Sequence, residues 1–255
     1  VSAVLEFQGV TVAIGRREVL SDVDAAFAPG TLTAVCGPNG AGKTTFIKAA
    51  LGVVKPKAGR VRLFGREPHQ VAPDARAGLA GYLPQERRIG WGMSALRIAA
   101  LGAITAAPAD AEARALAALE RVGLSGLADR GVFEMSGGER ARVLLARLLV
   151  TGAPLLLADE PVAGLDPDAQ LLTLELLRAE TARGATAIVT LHDLSLAARF
   201  CDQVLVLDHG RAAAQGAPLE ALSPAVLKSA FHLDAAWTDT PHGPVLSSAR
   251  VSPLD

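Results

Sequence analysis

Apolar and polar residues alternate with a period of two over residues 4–7, 10–14 and 23–27, and Gly9, Gly15 and the Pro29-Gly30 pair punctuate these runs. Period two belongs to strands covered on one face, so short antiparallel strands are expected at the start of the chain. The pattern changes at Thr31. Residues 32–36 form a compact apolar run that leads into a glycine-rich turn, and residues 44–51 then read as a helix. This is a βα unit. Compact apolar runs return at residues 155–158, 187–191 and 204–207, with helical segments between them. Runs without polar alternation are buried on both faces, which predicts a mostly parallel sheet flanked by helices. Asp166 and Pro167 open one of those helices as cap and first-turn residue, and Leu171, Leu174 and Leu177 recur at helical spacing before Gly184. Between about 86 and 150 the strand signals vanish, and residues 114–122 place Leu116, Leu119 and Val122 on one helix face. The expected architecture is α/β, with an N-terminal antiparallel β subdomain and a helical subdomain inserted into the core. Residues 1–86 and 150–220 would form that core, 87–149 the helical subdomain and 221–255 a C-terminal tail.

Composition narrows the field. Half of the 255 residues are apolar, enough for one substantial core or two small lobes. The 25 basic and 26 acidic residues leave a formal net charge of -1, so there is no electrostatic footprint of a general nucleic-acid binder. Affinity for a polyanion must then be local. Cys36 and Cys201 lie far apart, with no CxxC pair and no histidine at ligand spacing, so neither a disulfide framework nor a zinc site is expected. Both read as core residues in a reducing compartment. The most apolar stretch, residues 144–158, is short and carries Arg147, and the chain opens without a signal-like segment. No membrane span is expected.

The local polyanion site is legible. Gly37-Pro38-Asn39-Gly40-Ala41-Gly42-Lys43-Thr44 satisfies every fixed position of a phosphate-cradling P-loop and lies between an expected strand and an expected helix. Its glycines let successive N–H groups face a phosphate chain at a helix N-terminus, Lys43 adds a point charge, and the Thr44 hydroxyl can ligand Mg²⁺. The guanine-reading Asn-Lys-x-Asp motif is excluded, because Asn39 is the sole asparagine and belongs to the P-loop. A second element, Leu155-Leu156-Leu157-Ala158-Asp159-Glu160, is a buried strand ending in two carboxylates at the edge where the P-loop lies. Asp159 is suited to hold Mg²⁺, and Glu160 to polarise the water that attacks a γ-phosphoryl group.

Ser136 and Glu139 have capping-box spacing ahead of the helical residues 140–150, with Gly137 and Gly138 between them. A capped helix start accounts for the spacing alone. A capped N-terminus with two glycines is also an anion site, and the chain's own phosphate loop is already complete, so a second copy would have to supply the phosphate.

With these residues the chain resembles the nucleotide-binding subunit of ATP-binding-cassette (ABC) transporters over nearly its whole length, a P-loop NTPase fold. Ser136-Gly137-Gly138-Glu139 is similar to that family's signature motif, Tyr82-Leu83-Pro84-Gln85 to its glutamine loop, Gly164-Leu165-Asp166 to the loop after the catalytic acid, and Leu191-His192-Asp193 to the segment with the switch histidine. The resemblance implies an ATPase working as a head-to-tail homodimer, with ATP on one P-loop capped by Ser136, Gly137 and Gly138 of the partner subunit. It implies that Gln85 touches Mg²⁺ or the attacking water, that His192 holds the γ-phosphate and Glu160 in register, and that Thr45 supports the α-phosphate. Asp166 would join the nucleotide-binding set. It further implies separate integral-membrane permease subunits, met through a groove between core and insertion near Gln85, Trp91 and Met93. A substrate-binding protein would act indirectly, with no nucleic acid partner and a peripheral place at the cytoplasmic face of the inner (plasma) membrane.

Finer details are similar to importers of iron-siderophore, haem and cobalamin: the run from Tyr82 to Gln85 leading to Ala100-Leu101-Gly102, Gly138-Glu139-Arg140 with Arg142, Leu191-His192-Asp193-Leu194 with Ala197-Ala198-Arg199, and Gly216-Ala217-Pro218 with Leu222-Ser223-Pro224. Zinc or manganese importers and a soluble ABC ATPase in cofactor assembly remain open. A P-loop kinase would leave the signature and His192 unexplained. Two positions depart from the family pattern. Ile14 stands where an aromatic usually stacks on adenine, which implies weaker nucleotide affinity unless Arg16 lies over the base. Met135 replaces the usual Leu ahead of Ser136, a volume-conserving change.

Overall fold

The computed structural model describes residues 3–86, 89–90, 92–104 and 106–251. Trp91, expected near the groove, lies outside the described residues. The chain begins with β1 (Leu5–Ile14), β2 (Arg17–Phe27), β3 (Leu32–Cys36), α1 (Lys43–Ala50), β4 (Ala58–Leu63), α2 (Pro73–Ala77) and β5 (Ala80–Leu83). Then come three helices, α3 (Ala95–Ala100), α4 (Pro108–Arg121) and α5 (Gly137–Val150). The alternation resumes with β6 (Leu155–Ala158), α6 (Pro167–Ala182), β7 (Thr186–Thr190), α7 (Leu194–Phe200), β8 (Gln203–Asp208) and β9 (Arg211–Gly216). The chain closes with α8 (Pro218–Ala221), α9 (Pro224–Phe231) and an antiparallel hairpin of β10 (Leu233–Thr240) and β11 (Gly243–Arg250).

The central sheet has the order β5-β6-β7-β3-β8-β9, parallel except for β9. Its two faces feed two cores. Leu32, Ala34, Leu156, Ala158, Ala187, Val189, Val204 and Val206 pack toward the helices of the insertion and the C-terminal half. Val35, Leu155, Leu157, Ile188, Leu205 and Leu207 pack toward α1 and the antiparallel sheet β2-β1-β4. Successive residues of one strand thus enter different cores, which is why these runs lack polar alternation. On the second side Phe46 of α1 stacks on Phe7 of β1, with ring centroids 4.0 Å apart.

The structure corrects two details of the sequence pattern. Residues 4–7 and 10–14 do not form separate strands: β1 runs through Gly9, which takes φ 55°, and the register shifts between Phe7 and Val10. The strand bulges instead of ending, because Asp24 Oδ1 accepts the Gly9 N–H at 2.8 Å. In α4 the buried stripe is Ala115, Ala118 and Leu119, continuing to Val122, while Leu116 is exposed. Ala115, Ala118, Leu119 and Val122 at i, i+3, i+4 and i+7 form the inner face, and Leu116 falls beside it.

One contact ties the insertion to the core, and another closes the insertion on itself. Arg121 at the end of α4 pairs with Glu180 of α6 at 2.5 Å. Gly102, just after α3, lies so close to α5 that a Cβ there would stand 2.1 Å from the Arg147 carbonyl oxygen. Met93 packs partly buried onto the insertion's core. No helix among the described residues is long and apolar enough to cross a membrane.

Both thiols are buried, and burial pushes Cys36 up to about 12 and Cys201 well above its usual value. Substituting Gly102→Ala forces α3 and α5 apart, so urea unfolding should show a loss of about 1–3 kcal/mol. Unchanged stability would mean that the two helices separate freely.

Candidate active site

Three glycines of the P-loop occupy conformations with positive φ: Gly37 at 151°, Gly40 at 82° and Gly42 at 103°. Two of them also need the missing side chain. A Cβ on Gly37 would lie 2.1 Å from Leu207 O, and one on Gly42 would lie 2.7 Å from the Leu20 side chain. The loop is pinned from inside by Lys43, whose Nζ donates to Gly37 O at 2.8 Å and Pro38 O at 3.1 Å. Ala41 is buried under the loop and donates its N–H to Pro38 O. Burial lowers the Lys43 pKa, and the charges of Glu160, Cys36 and Asp159 oppose that shift. The result is an enclosed ammonium on a ring of backbone groups.

A cavity of about 340 Å³ opens over this loop, lined by Asn39, Gly40, Gly42, Lys43, Thr44, Thr45, Gln85 and Glu160, with Arg17 and Val19 from the first hairpin. Neither Ile14 nor Arg16 lines it; Ile14 is exposed at the end of β1, and the hairpin presents Arg17 instead. The sequence reading named Arg16, whereas the arginine that lines the cavity is Arg17. Strand alternation past the turn was the signal that separates the two.

The acidic pair sits where β6 ends. Asp159 is almost fully buried, and its Oδ1 accepts the Thr190 hydroxyl at 2.7 Å. Its other oxygen, Oδ2, is buried with no hydrogen-bond partner among the described residues. An orphaned buried carboxylate oxygen fits a cation at that position. Glu160 takes φ 50°, unusual for a residue with a side chain, and its N–H donates to Thr190 Oγ1 at 2.7 Å. His192 Nε2 lies 2.7 Å from Glu160 Oε1. Asp193 caps α7 by accepting the Leu196 N–H. Thr190, His192 and Glu160 line a second cavity of about 210 Å³ with Gly164 and Gln170. Sequence reasoning overlooked Thr190; the period-two register with His192 at the end of β7 was the available clue.

Ser136 caps α5 in a full capping box: its Oγ accepts the Glu139 N–H, and Glu139 accepts the Ser136 N–H at 2.7 Å. These bonds lower the Glu139 pKa. Asp166 caps α6 by accepting the Ala169 N–H at 2.9 Å. Ser136, Gly138 and Asp166 line a third cavity, and this one shares no residue with the cavity above the P-loop. Gly137 opens α5 beside them. One chain therefore holds a phosphate cradle and a separate capped helix end.

A family model described as ABC transporter matches residues 20–163. The hemin import ATP-binding protein HmuV of Pseudomonas entomophila is 41% identical over 90% of this chain and 93% of its own length. The cobalamin import ATP-binding protein BtuD of Halobacterium salinarum is 36% identical over 98% of this chain, which spans 63% of that relative. A solved structure described as an ATP-binding subunit of an ABC transporter superimposes with a TM-score of 0.79 at 27% identity, covering 89% of this chain and 95% of the other.

Among the described residues, Lys43→Ala removes the one ammonium lining the cradle while leaving its glycines in place. Losing one charge-assisted contact should weaken nucleoside triphosphate binding by roughly 10–100-fold in an equilibrium titration. Undiminished affinity would place the phosphates elsewhere.

Proposed function

The chain belongs to the ABC transporter family and is an ABC ATPase; from that premise we propose that it is the hydrolysing subunit of an importer, working as a head-to-tail homodimer on separate permease subunits. The cargo class proposed is an iron chelate, haem or cobalamin, which the hemin- and cobalamin-import relatives support. The carrying observation is the separation of the two half-sites within one chain. The cavity above the P-loop lacks the capped α5 N-terminus, and that N-terminus has no P-loop of its own. A second copy supplies what each lacks.

In this reading ATP lies on residues 37–45, its phosphates met by backbone N–H groups, Lys43, Thr44 and Thr45. Ser136, Gly137 and Gly138 of the partner subunit close over the γ-phosphate at a helix N-terminus, where the helix dipole and free N–H groups favour an anion. Asp166 lies beside this helix end and shapes the contact between copies. Thr44, Asp159 and Gln85 would hold Mg²⁺, which would supply positive charge to offset that of the phosphates. Glu160 accepts the proton of the attacking water, and His192 fixes the direction of its carboxylate through the 2.7 Å contact.

A groove of about 290 Å³ between β5, α3 and α5 is the proposed permease contact. Leu101, Ile104 and Leu148 make it apolar, and Tyr82 and Arg147 bring polar groups to it. Leu101 and Ile104 are exposed, as a docking face requires. Gln85 follows Tyr82 by three residues, so the groove and the nucleotide cavity are linked by one short segment.

Glu160→Gln should bind ATP normally and lower turnover by at least roughly 100-fold, leaving a dimer visible by size-exclusion chromatography in ATP. A fully active, monomeric variant refutes the assignment. Ser136→Arg should leave single-site ATP binding intact and prevent that dimer. In mixtures with unmodified chain it should also depress the turnover of its partner. Normal turnover by the Ser136→Arg protein would mean that the phosphates are not capped from another copy.

A further inference from the structure

We propose that Thr190 is a positioning residue for hydrolysis, setting both carboxylates of the acidic pair through one hydroxyl. The inference rests on the reading of Glu160 as the base. β7 pairs in parallel with β6, with Ala158 opposite Val189, so the two strands end side by side. Leu191 turns into the core, while Thr190 and His192, two residues apart, both reach the acidic pair. Thr190 is completely buried, and its hydroxyl both accepts and donates a hydrogen bond.

The direction of the bonds follows from the chemistry of the groups. A backbone N–H can only donate, so Thr190 Oγ1 must accept from Glu160 N. The one hydroxyl proton is then committed to Asp159 Oδ1. Asp159 is thereby held as an acceptor, with Oδ2 left over for a cation. Glu160 is held by its main chain in a left-handed conformation that it would not choose unaided. His192 then meets the carboxylate at the other end of the same residue. Thr190 thus fixes where the Glu160 side chain starts, and His192 fixes where it points.

Thr190→Val keeps the shape and removes the hydroxyl. The Glu160 N–H and Asp159 Oδ1 both lose their partner, while no residue lining the cavity above the P-loop is altered. The expected result is a drop in kcat of roughly 10–100-fold, the range set by losing hydrogen bonds to a charged group. ATP affinity measured in EDTA should stay within about twofold. The Mg²⁺ concentration for half-maximal turnover should rise, because Asp159 is no longer held. Thr190→Ser, which restores the hydroxyl, should recover most of the lost kcat.

A kcat for Thr190→Val within about threefold of the unmodified chain overturns the proposal. So does a loss that Thr190→Ser fails to repair, or one that tracks the folded fraction seen by thermal melting. If the valine variant does not fold, Thr190→Ala takes its place against Thr190→Ser with the same criteria. Glu160→Gln separates the two levels of the argument. Retained turnover in that variant sinks the base assignment, whereas an inactive Glu160→Gln beside an active Thr190→Val sinks only the role of Thr190.

Discussion

A sheet covered on both faces leaves its chemistry one outlet, the ends of its strands. β3, β6, β7 and β8 send alternate side chains into two separate cores, so almost no position along them is available to a ligand. The carboxyl ends are different. There β3 delivers the P-loop, β6 delivers Asp159 and Glu160, and β7 delivers Thr190 and His192. Register between neighbouring strands therefore fixes the site: a slip of one residue between β6 and β7 would present Leu191 to the acidic pair in place of Thr190.

The site combines two kinds of strain relief. The P-loop turns with glycines at φ values that cost them little. Glu160 reaches a left-handed conformation with a full side chain and needs outside support, which Thr190 gives through its buried hydroxyl. A backbone held by Thr190 under a carboxylate directed by His192 suits the proposed base, which has to meet water in one direction. Enclosure of Lys43 works in the same spirit, since its ammonium is already fastened to loop carbonyls.

Much of this was legible in the chain. The β3–α1 unit, β6 with its acidic end, and the cap at Ser136 are local patterns whose spacing carries its own chemistry. The helical stretch between 86 and 150 was legible because strand signals are missing there. Elsewhere the pattern was thin. β4 carries arginines on a short strand, β5 has four residues, and β9 is Arg-Ala-Ala-Ala-Gln-Gly, so none announces itself by β-branched content. Gly9 looked like a break because its N–H finds a partner fifteen residues away in Asp24, which no local window contains. Leu116 looked inward because large residues were weighed above the alanines that form the true stripe. Thr190 and Arg17 were harder to single out for a related reason: alternation marks their faces, but the partners that give them a place lie on other segments.

The length and placement of α5 carry one more implication. Its first residues are the capped end beside Asp166, and its later residues, Arg147 and Leu148, line the apolar groove on the far side of the insertion. Fourteen residues of unbroken helix form a rod about 21 Å long. Gly102 lets α3 lie directly against the main chain of that rod, with no side chain to act as a cushion. In the proposed reading, a partner seated in the groove would be joined to the helix start by continuous helix, with no loop between them.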